Sequence, residues 1–337
     1  MIKNIRHTTR RLLLGAPALA LSFAGAAVLT GLVAGPAQAQ ATYPNRAINL
    51  IMPFPPGVVD SKGRIIAAKV SELLGQPIAV ENRSGAGQRL GTQLLAQAPK
   101  DGYTIGVITQ AGAVMAPALD PKLRYDAIKD FQYLTLGYSG YFILATHPKS
   151  GFGTLSEFLA KARANPGQLK FSSSGLGTSY HVWSEVLMNV AGLNLLHVPY
   201  RGAAQAEQDL AGGQVDVMLT SAGSMPRVDK GLLVALGVTS DQRLAHMKQV
   251  PTLKEQGVNF SITSWLGFAA PAGIPPAALD RLNAAFKAAL ESPEVIAKLG
   301  ADGSEVRYTT PAEFTRMVED EIRLVRNINK TLKLTLE

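Results

Sequence analysis

The sequence has no cysteine among its 337 residues. This absence excludes a disulfide framework, a CxxC redox site, a thiolate-bound zinc ion and a cysteine nucleophile. Charged residues are also sparse, at 17%, whereas 47% of the residues are hydrophobic. That composition is too apolar for a disordered chain and too weakly charged for a coiled coil. The length predicts about two domains, each with a core of its own.

Several motifs of catalysis and cofactor binding are missing as well. The histidines do not occur in HExxH or at another spacing typical of metal ligands, and neither GxSxG nor GxxxxGK(S/T) is present. The glycine-rich stretch 85–91 resembles a dinucleotide loop. The candidate ribose acid, Asp101, falls in a turn before a strand, however, and not at a strand's end. We therefore expect no metal and no cofactor, and the pattern weighs against a hydrolase or an NTPase.

The positive charge of the chain is concentrated at its start. Residues 1–39 carry Lys3, Arg6, Arg10 and Arg11 and no acid, which leaves +4 of the formal +8 for the rest. No block of Lys and Arg with interleaved aromatic residues follows. Nucleic acid is therefore not an expected partner.

The first forty residues have the order of a secretory signal. A basic segment, residues 1–11, precedes an apolar segment, residues 12–35, and Ala37-Gln38-Ala39 follows. This order predicts a cleaved signal peptide at residues 1–39, with cleavage after Ala39. Thr9–Leu14 also fits a twin-arginine pattern, and a retained membrane anchor is the alternative. The expected product is an exported protein, periplasmic if the host is a Gram-negative bacterium.

Strands and helices alternate along the rest of the chain, which predicts an α/β fold with parallel strands. Apolar strands are expected at residues 49–54, 77–80 and 103–108, with helices from 61 to 74 and 90 to 97 between them. Two further short strands, at 134–138 and 141–146, mark the expected first crossing between domains. A second α/β unit follows. The later predicted elements are strands at 169–173, 195–198, 215–219, 233–238 and 265–269, and helices at 154–164, 178–190, 203–211 and 275–290, with two more beginning at 293 and 311.

Four loops repeat the order of strand, small residues and helix start. They are residues 53–60, 82–87, 172–179 and 199–202. Helix N-termini present free N–H groups and the positive end of the helix dipole, so such loops favour anions. In open α/β sheets these loops gather at the carboxyl ends of the strands. Two sets of loops, one in each domain, predict a cleft for a small carboxylate, although each loop alone is more simply explained as a turn.

Some side chains near these loops have two interpretations. Asp60 is either the N-cap of the following helix or an acceptor for a hydroxyl or amine of a ligand. His181 is expected to be packed and hydrogen-bonded. Trp183 and Trp265 are expected in the core, with Trp265 alternatively at the mouth of the cleft.

Together these stretches resemble the substrate-binding proteins of tripartite tricarboxylate transporters, also called Bug receptors. The resemblance covers essentially the whole chain after the signal. The matching stretches are Tyr43-Pro44, Pro53–Gly57, Val80–Arg83, Gly85–Gly87, Asp101–Thr104, Ser173–Gly175, Gly177–Ser179, His197–Gly202, Gly213–Met218, Val250–Thr252 and Ala270–Gly273.

The resemblance implies a periplasmic-binding-protein fold of type II, in which two α/β domains joined by two crossings close on a ligand like a flytrap. Domain 1 would comprise residues 43–141 plus 265–337, and domain 2 residues 142–264. A monomeric receptor of this kind would bind a small carboxylate and deliver it to a membrane permease. The predicted ligand-binding residues are Phe54, Pro55, Gly57, Val58, Val59, Asp60, Ser84, Gly85, Ala86, Gly87, Arg89, Gln110, Ser174, Gly175, Thr178, Ser179, Tyr200 and Trp265.

The sequence departs from the family pattern in two loops. Val58 stands where the family usually has a second glycine, and the loop to Asp60 is one residue shorter. Because a β-branched residue resists positive φ, the N–H groups of this loop are expected to point differently. Gln88-Arg89 replaces the usual Gly-Asn after the GAG turn. We hypothesise that Arg89 pairs with a distal acidic group of the ligand.

Two other functions remain open at this point. The loaded receptor could signal through a membrane sensor protein, which would use the same cleft. Alternatively, the protein could be an exported hydrolase, with Ser179 and His181 as the nearest nucleophile and base. Two residues apart at a helix start, these side chains point in different directions.

Overall fold

The computed structural model describes residues 43–301 and 303–336, and of Val58 it describes the backbone only. The predicted signal peptide lies outside the described residues. No helix within this described part is long and apolar enough to cross a membrane.

Helices and strands alternate as expected for an α/β fold. The strands are β1 (Ile48–Met52), β2 (Ile78–Asn82), β3 (Thr104–Thr109), β4 (Phe131–Thr146), β5 (Lys170–Ser173), β6 (Leu196–Pro199), β7 (Val217–Ser221), β8 (Val234–Val238), β9 (Thr263–Pro271) and β10 (Glu305–Val306). The helices are α1 (Val58–Leu74), α2 (Arg89–Ala96), α3 (Ala116–Leu119), α4 (Leu155–Ala164), α5 (Ser179–Val190), α6 (Ala203–Ala211), α7 (Met225–Asp229), α8 (Pro276–Leu290), α9 (Pro293–Gly300) and α10 (Pro311–Leu332).

Several helix ends follow the sequence signals that predicted them. Helix α1 ends at Gly75, whose φ of 69° is in the left-handed region. Thr154 and Glu157 form a capping box at the start of α4, and Thr310 and Glu313 form another at the start of α10. These local signals place these three helix ends within one or two residues of their predicted positions.

One long strand, β4, joins two parts of the sheet. The part with the order β2-β1-β3-β9-β4 is called the first half-sheet here, and the part with the order β4-β7-β5-β6 the second half-sheet. Strands β10 and β8 also pair with β4. Strands β1, β2 and β3 are parallel to one another, as are β5, β6 and β7. Strand β9 returns the chain to the first half-sheet.

The direction of β4 makes the two sets of parallel strands end at the same gap. Strand β4 is antiparallel to β9, and β9 is antiparallel to β3, so β4 leaves the first half-sheet at the edge where β1, β2 and β3 end. It is also antiparallel to β7, so it enters the second half-sheet at the edge where β5, β6 and β7 end. The loops that follow both sets therefore face each other across the middle of β4.

Helices cover both half-sheets. On the first half-sheet, α1, α8 and α9 contact one another, and their apolar side chains share a buried cluster with Leu50, Ile105 and Phe268. Helix α10 contacts β4 and α3. Apolar burial of this kind, at about 25 cal/mol per Å², is the main driving force available to a chain without disulfides.

Two sequence predictions were wrong, and one buried segment was not predicted. Helix α1 begins at Val58 and not at residue 61, because the turn is already closed by the Ser61 N–H, which donates to the Gly57 carbonyl at 2.8 Å. The two short strands at 134–138 and 141–146 are one strand, since Ser139 and Gly140 remain paired with Trp265 and Ser264. The buried π-helical segment Ala111–Met115 before α3 was not predicted at all.

Candidate ligand-binding site

All but one of the predicted ligand-binding residues lie at the carboxyl ends of parallel strands. Residues 54–60 follow β1, residues 84–89 follow β2, and Gln110 follows β3. Residues 174–179 follow β5, and Tyr200 follows β6. Trp265, on β9, is the exception. The topology therefore brings the predicted residues of both half-sheets to one gap.

The loop after β2 has an unusual backbone. Four successive residues have positive φ: Gly85 at 144°, Ala86 at 47°, Gly87 at 61° and Gln88 at 76°. Left-handed conformations of non-glycine residues are uncommon and are often found at functional sites. Within the described part of the chain, the N–H groups of Ala86 and Gly87 have no hydrogen-bond acceptor. They are available to an anion.

Gly87 touches the facing loop of the second half-sheet. A Cβ atom placed on Gly87 would lie 2.6 Å from the Leu176 carbonyl oxygen, closer than real Cβ contacts. Only glycine allows this approach of the two backbones. The loop after β2 and the loop after β5 are thus in direct contact in this structure.

Hydroxyl groups brace the loop after β5. Thr178 is the N-cap of α5, where its Oγ1 accepts from the His181 N–H and donates to the Gly175 carbonyl at 2.7 Å. The Ser174 hydroxyl donates to Thr178 Oγ1 at 3.2 Å. Gly175 in turn lies against the loop after β6, because a Cβ there would be 3.0 Å from the Tyr200 carbonyl oxygen. These hydrogen bonds and this close approach give the loop a defined shape.

Asp60 does not cap helix α1. Gly57 occupies the N-cap position, and the buried Asp60 carboxylate, 4% exposed, lies within the first turn. It accepts from Arg64 Nε at 2.9 Å and from the Asn82 amide at 2.7 Å. The same amide donates to the Phe54 carbonyl at 2.7 Å. Asp60 and Asn82 therefore connect the loop after β1 to the end of β2. The sequence did not predict this role of Asn82, although Asn82 lies in the family stretch Val80–Arg83.

Tyr200 and Arg89 have partners inside the protein. The Tyr200 hydroxyl donates to Asp209 at 2.8 Å, and burial together with this hydrogen bond raises the pKa of Tyr200 to about 12. Arg89 Nη1 lies 3.0 Å from an Asp120 carboxylate oxygen, and Arg89 Nε donates to the Ala86 carbonyl at 2.9 Å. Arg89 is thus folded back onto the loop that it follows, and its pairing with a ligand stays a prediction.

A buried carboxyl group connects Gln110 to Trp265. Trp265 Nε1 donates to both oxygens of Glu321 on α10, at 3.0 and 2.9 Å, and Gln110 Nε2 donates to one of them at 3.2 Å. Burial raises the pKa of Glu321 to about 7, even though both hydrogen bonds oppose that shift. Among the described residues, the buried Gln110 Oε1 has no partner. Trp265 itself is 5% exposed and belongs to the core, which is the first of the two positions predicted for it.

Two histidines stack beneath the loop after β5. The rings of His181 and His197 lie 4.1 Å apart between centroids, and burial lowers the pKa of His181 to about 4 and that of His197 to about 3. His181 Nδ1 accepts from the Gly177 N–H at 3.2 Å. His197 Nε2 is 2.7 Å from the Ser173 hydroxyl. His181 is therefore packed and hydrogen-bonded, as the sequence predicted.

The histidine pair and Glu185 lie close enough together to be considered as cation ligands. Their geometry does not suit one. Because His181 Nδ1 accepts a hydrogen bond, its proton is on Nε2, the atom that faces Glu185 at 3.8 Å. The nitrogen lone pairs of each ring lie in the plane of that ring. Because the two stacked rings are nearly parallel, their lone pairs do not converge on one point, as the ligands of a single ion must. In the part of the chain that the structure describes, no hydrogen bond joins Ser179 to His181, so these two side chains do not form the nucleophile–base pair considered above.

One groove of the described structure contains no residue of these loops. Its volume is about 760 Å³, and its walls come from residues 117–129 and from α10. Basic and acidic side chains alternate there, among them Arg124, Arg326, Asp126 and Glu319. Size alone does not make it the ligand site.

Comparison with known proteins gives one consistent result. Residues 63–334 match the family model described as "Tripartite tricarboxylate transporter family receptor". The chain is 32% identical to the protein BugT of Bordetella pertussis over 322 residues, which covers 93% of this chain and 98% of that protein.

Solved structures with the same fold include two with bound carboxylates. The structure of Rpa4515 from R. palustris with adipate has a TM-score of 0.82 at 29% identity, covering 87% of this chain and 99% of that chain. The structure of MatC from Rhodopseudomonas palustris with bound malate has a TM-score of 0.80 at 30% identity, covering 85% of this chain and 99% of that chain.

Proposed function

Because the chain belongs to the tripartite tricarboxylate transporter receptor family, we propose that its facing loops bind a small dicarboxylate. The receptor fold and the family are those that the sequence predicted. The contact of Gly87 with Leu176 is the observation that carries the proposal, because it joins a loop of the first half-sheet to a loop of the second. A ligand in the gap beside this contact would touch both half-sheets at once.

The chemistry of the loops suits a carboxylate. Helices α1 and α6 begin after Gly57 and Gly202 without a side-chain cap, so their first N–H groups are left for another acceptor. The N–H groups of Ala86 and Gly87 add to this set. An oxyanion that accepts several backbone N–H groups is stabilised by charge-assisted hydrogen bonds and by the helix dipoles. Arg89, which follows this loop, is paired with Asp120 and would have to leave it to pair with a ligand.

The ligands of two related structures suggest the chemical class of the ligand. Adipate and malate, which accompany the two solved structures, are both linear dicarboxylates. One carboxylate would occupy the N–H groups of the facing loops, and the second would lie toward Arg89. The buried and unpartnered Gln110 Oε1 would accept from a hydroxyl group of a ligand such as malate.

We propose the remaining features from the order of the first forty residues and from membership of the family. The signal peptide would be cleaved after Ala39, and residues 43–141 plus 265–337 would close against residues 142–264 like a flytrap. The loaded monomer would then dock on membrane permease subunits. It would release its ligand unchanged, without a catalytic step.

A thermal-shift screen tests this proposal. The chain from residue 40 onward is unfolded and refolded to remove bound ligand, and melting is measured with mono-, di- and tricarboxylates, amino acids and aromatic acids. Ligand at about a hundred times its dissociation constant adds about 2.7 kcal/mol, a shift of several degrees for a chain of this size. We expect dicarboxylates to give the shift. A folded protein that responds to no carboxylate would refute the proposal.

A further inference from the structure

The segment after α10 reaches from the first half-sheet to the loop after β5. Helix α10 contacts β4, α3 and α5, and the segment after it continues to the loop after β5. Leu336 is 7% exposed and lies against Gly177. A Cβ placed on Gly177 would be 3.0 Å from Leu336 Cδ2 and 3.1 Å from its Cδ1. We call residues 333–336 the distal segment.

Asn329 fixes the path of the distal segment. Lys333 ends α10 in the left-handed conformation, with a φ of 53°. The Asn329 side chain then clamps the backbone of Leu334, because its Oδ1 accepts the Leu334 N–H at 2.6 Å and its Nδ2 donates to the Leu334 carbonyl at 3.3 Å. Two hydrogen bonds from one side chain define the direction in which Leu336 leaves the helix.

The loop after β5 is therefore held from two sides. Leu336 lies against Gly177 on one side, and the backbone of Gly87 lies against the Leu176 carbonyl on the other. Gly177 itself has a φ of 77° and donates its N–H to His181. Without the leucine, this glycine would lose a packing contact that restricts it, since an unsupported glycine has the widest choice of conformations.

We propose that the distal segment is a positioning element for the ligand site: Leu336, directed by Asn329, holds the loop Gly175–Thr178 in the shape that receives the ligand. The idea rests on the proposed function only in that this loop binds the ligand. The positioning itself is a property of the protein without ligand. It also connects the end of α10, a helix that contacts both β4 and α5, to a binding loop of the second half-sheet.

Hydrogen exchange of the ligand-free protein tests the positioning. Leu336→Ala removes the contact, and Leu324→Ala, a leucine 49% exposed on α10, is the matched control. In the Leu336 variant we expect peptides covering residues 174–182 to exchange about five- to tenfold faster, while peptides of α4 are unchanged. Asn329→Ala keeps the leucine but removes the two hydrogen bonds that direct it, so this variant should show the same faster exchange at residues 174–182.

Ligand binding separates this inference from the proposed function. With malate and adipate as probes, Leu336→Ala should bind several-fold more weakly than Leu324→Ala. If neither probe binds the unaltered protein, the proposed function fails, and the exchange experiment still decides the positioning role. Equal exchange at residues 174–182 in the Leu336 and Leu324 variants would overturn the inference.

Discussion

Replacing Gly87 with alanine should separate ligand binding from stability. The added Cβ would lie 2.6 Å from the Leu176 carbonyl oxygen, whereas ordinary contacts begin at 3.4 Å. The two loops would have to move apart by about 0.8 Å, the difference between these distances, because backbone atoms on both sides cannot rotate away. The substitution also places alanine at a φ of 61°, which adds about 1 kcal/mol of strain.

The two effects have different consequences. Backbone strain lowers the free energy of unfolding wherever it occurs. A displacement of the facing loops weakens only the interactions that need both loops, and we expect it to reduce dicarboxylate affinity at least about tenfold, or 1.4 kcal/mol. Separating the two effects requires a control variant that has the backbone strain but does not displace the loops.

Gly75→Ala supplies that control. Gly75 has a φ of 69°, and a Cβ there would meet nothing within 4 Å. Both variants should lose about 1 kcal/mol of stability in urea unfolding. In calorimetric titration with the dicarboxylate that the screen identifies, only Gly87→Ala should lose affinity. If both variants bind that ligand as tightly as the unaltered protein, contact between the loops plays no part in binding.

Three further predictions concern stability. Burial raises the pKa of Glu321 to about 7 from its ordinary 4.5, so its contribution to stability is complete below pH 4.5 and is lost as the pH rises through 7. In urea unfolding, Glu321→Gln should remove a stability loss of about 3 kcal/mol between these pH values, and an unchanged pH profile would count against this prediction. Burial lowers the pKa of His181 to about 4, so its contribution is complete above pH 6.5 and is lost as the pH falls through 4. His181→Asn should therefore reduce the loss of stability between pH 6.5 and pH 4, as followed by circular dichroism. An equally steep loss of stability in the variant would refute this prediction. Asp60→Asn, which weakens the pairing with Arg64, should destabilise the fold by about 1–2 kcal/mol in thermal unfolding, and Asp101→Asn, at an exposed ion pair, by much less; equal effects would contradict the importance of burial.

The order of the elements and the gathering of the loops could be predicted from sequence because both depend on local signals. Capping boxes at Thr154 and Thr310, and the glycine that ends α1, act within a few residues of the chain. The rule that ligands meet the carboxyl ends of parallel strands then places the loops together. The family pattern added the partner and the class of ligand.

What could not be predicted depends on contacts distant in sequence. Gln110 and Glu321 are 211 residues apart, and nothing in the amphipathic pattern of α10 distinguishes Glu321 from the acids at its surface. Asp60 has the residue type of a helix cap, and only the position of Asn82 at the end of β2 shows that it has a different role. Ser139 and Gly140 have the pattern of a break between strands until their pairing with β9 is known.

A crystal structure with the dicarboxylate identified by the screen tests the central claim most directly. The account predicts that one carboxylate accepts hydrogen bonds from the N–H groups of Ala86 and Gly87 and from the loop Gly175–Thr178, in the gap between the two half-sheets. A ligand bound instead in the groove formed by residues 117–129 and α10, with the facing loops empty, would contradict it.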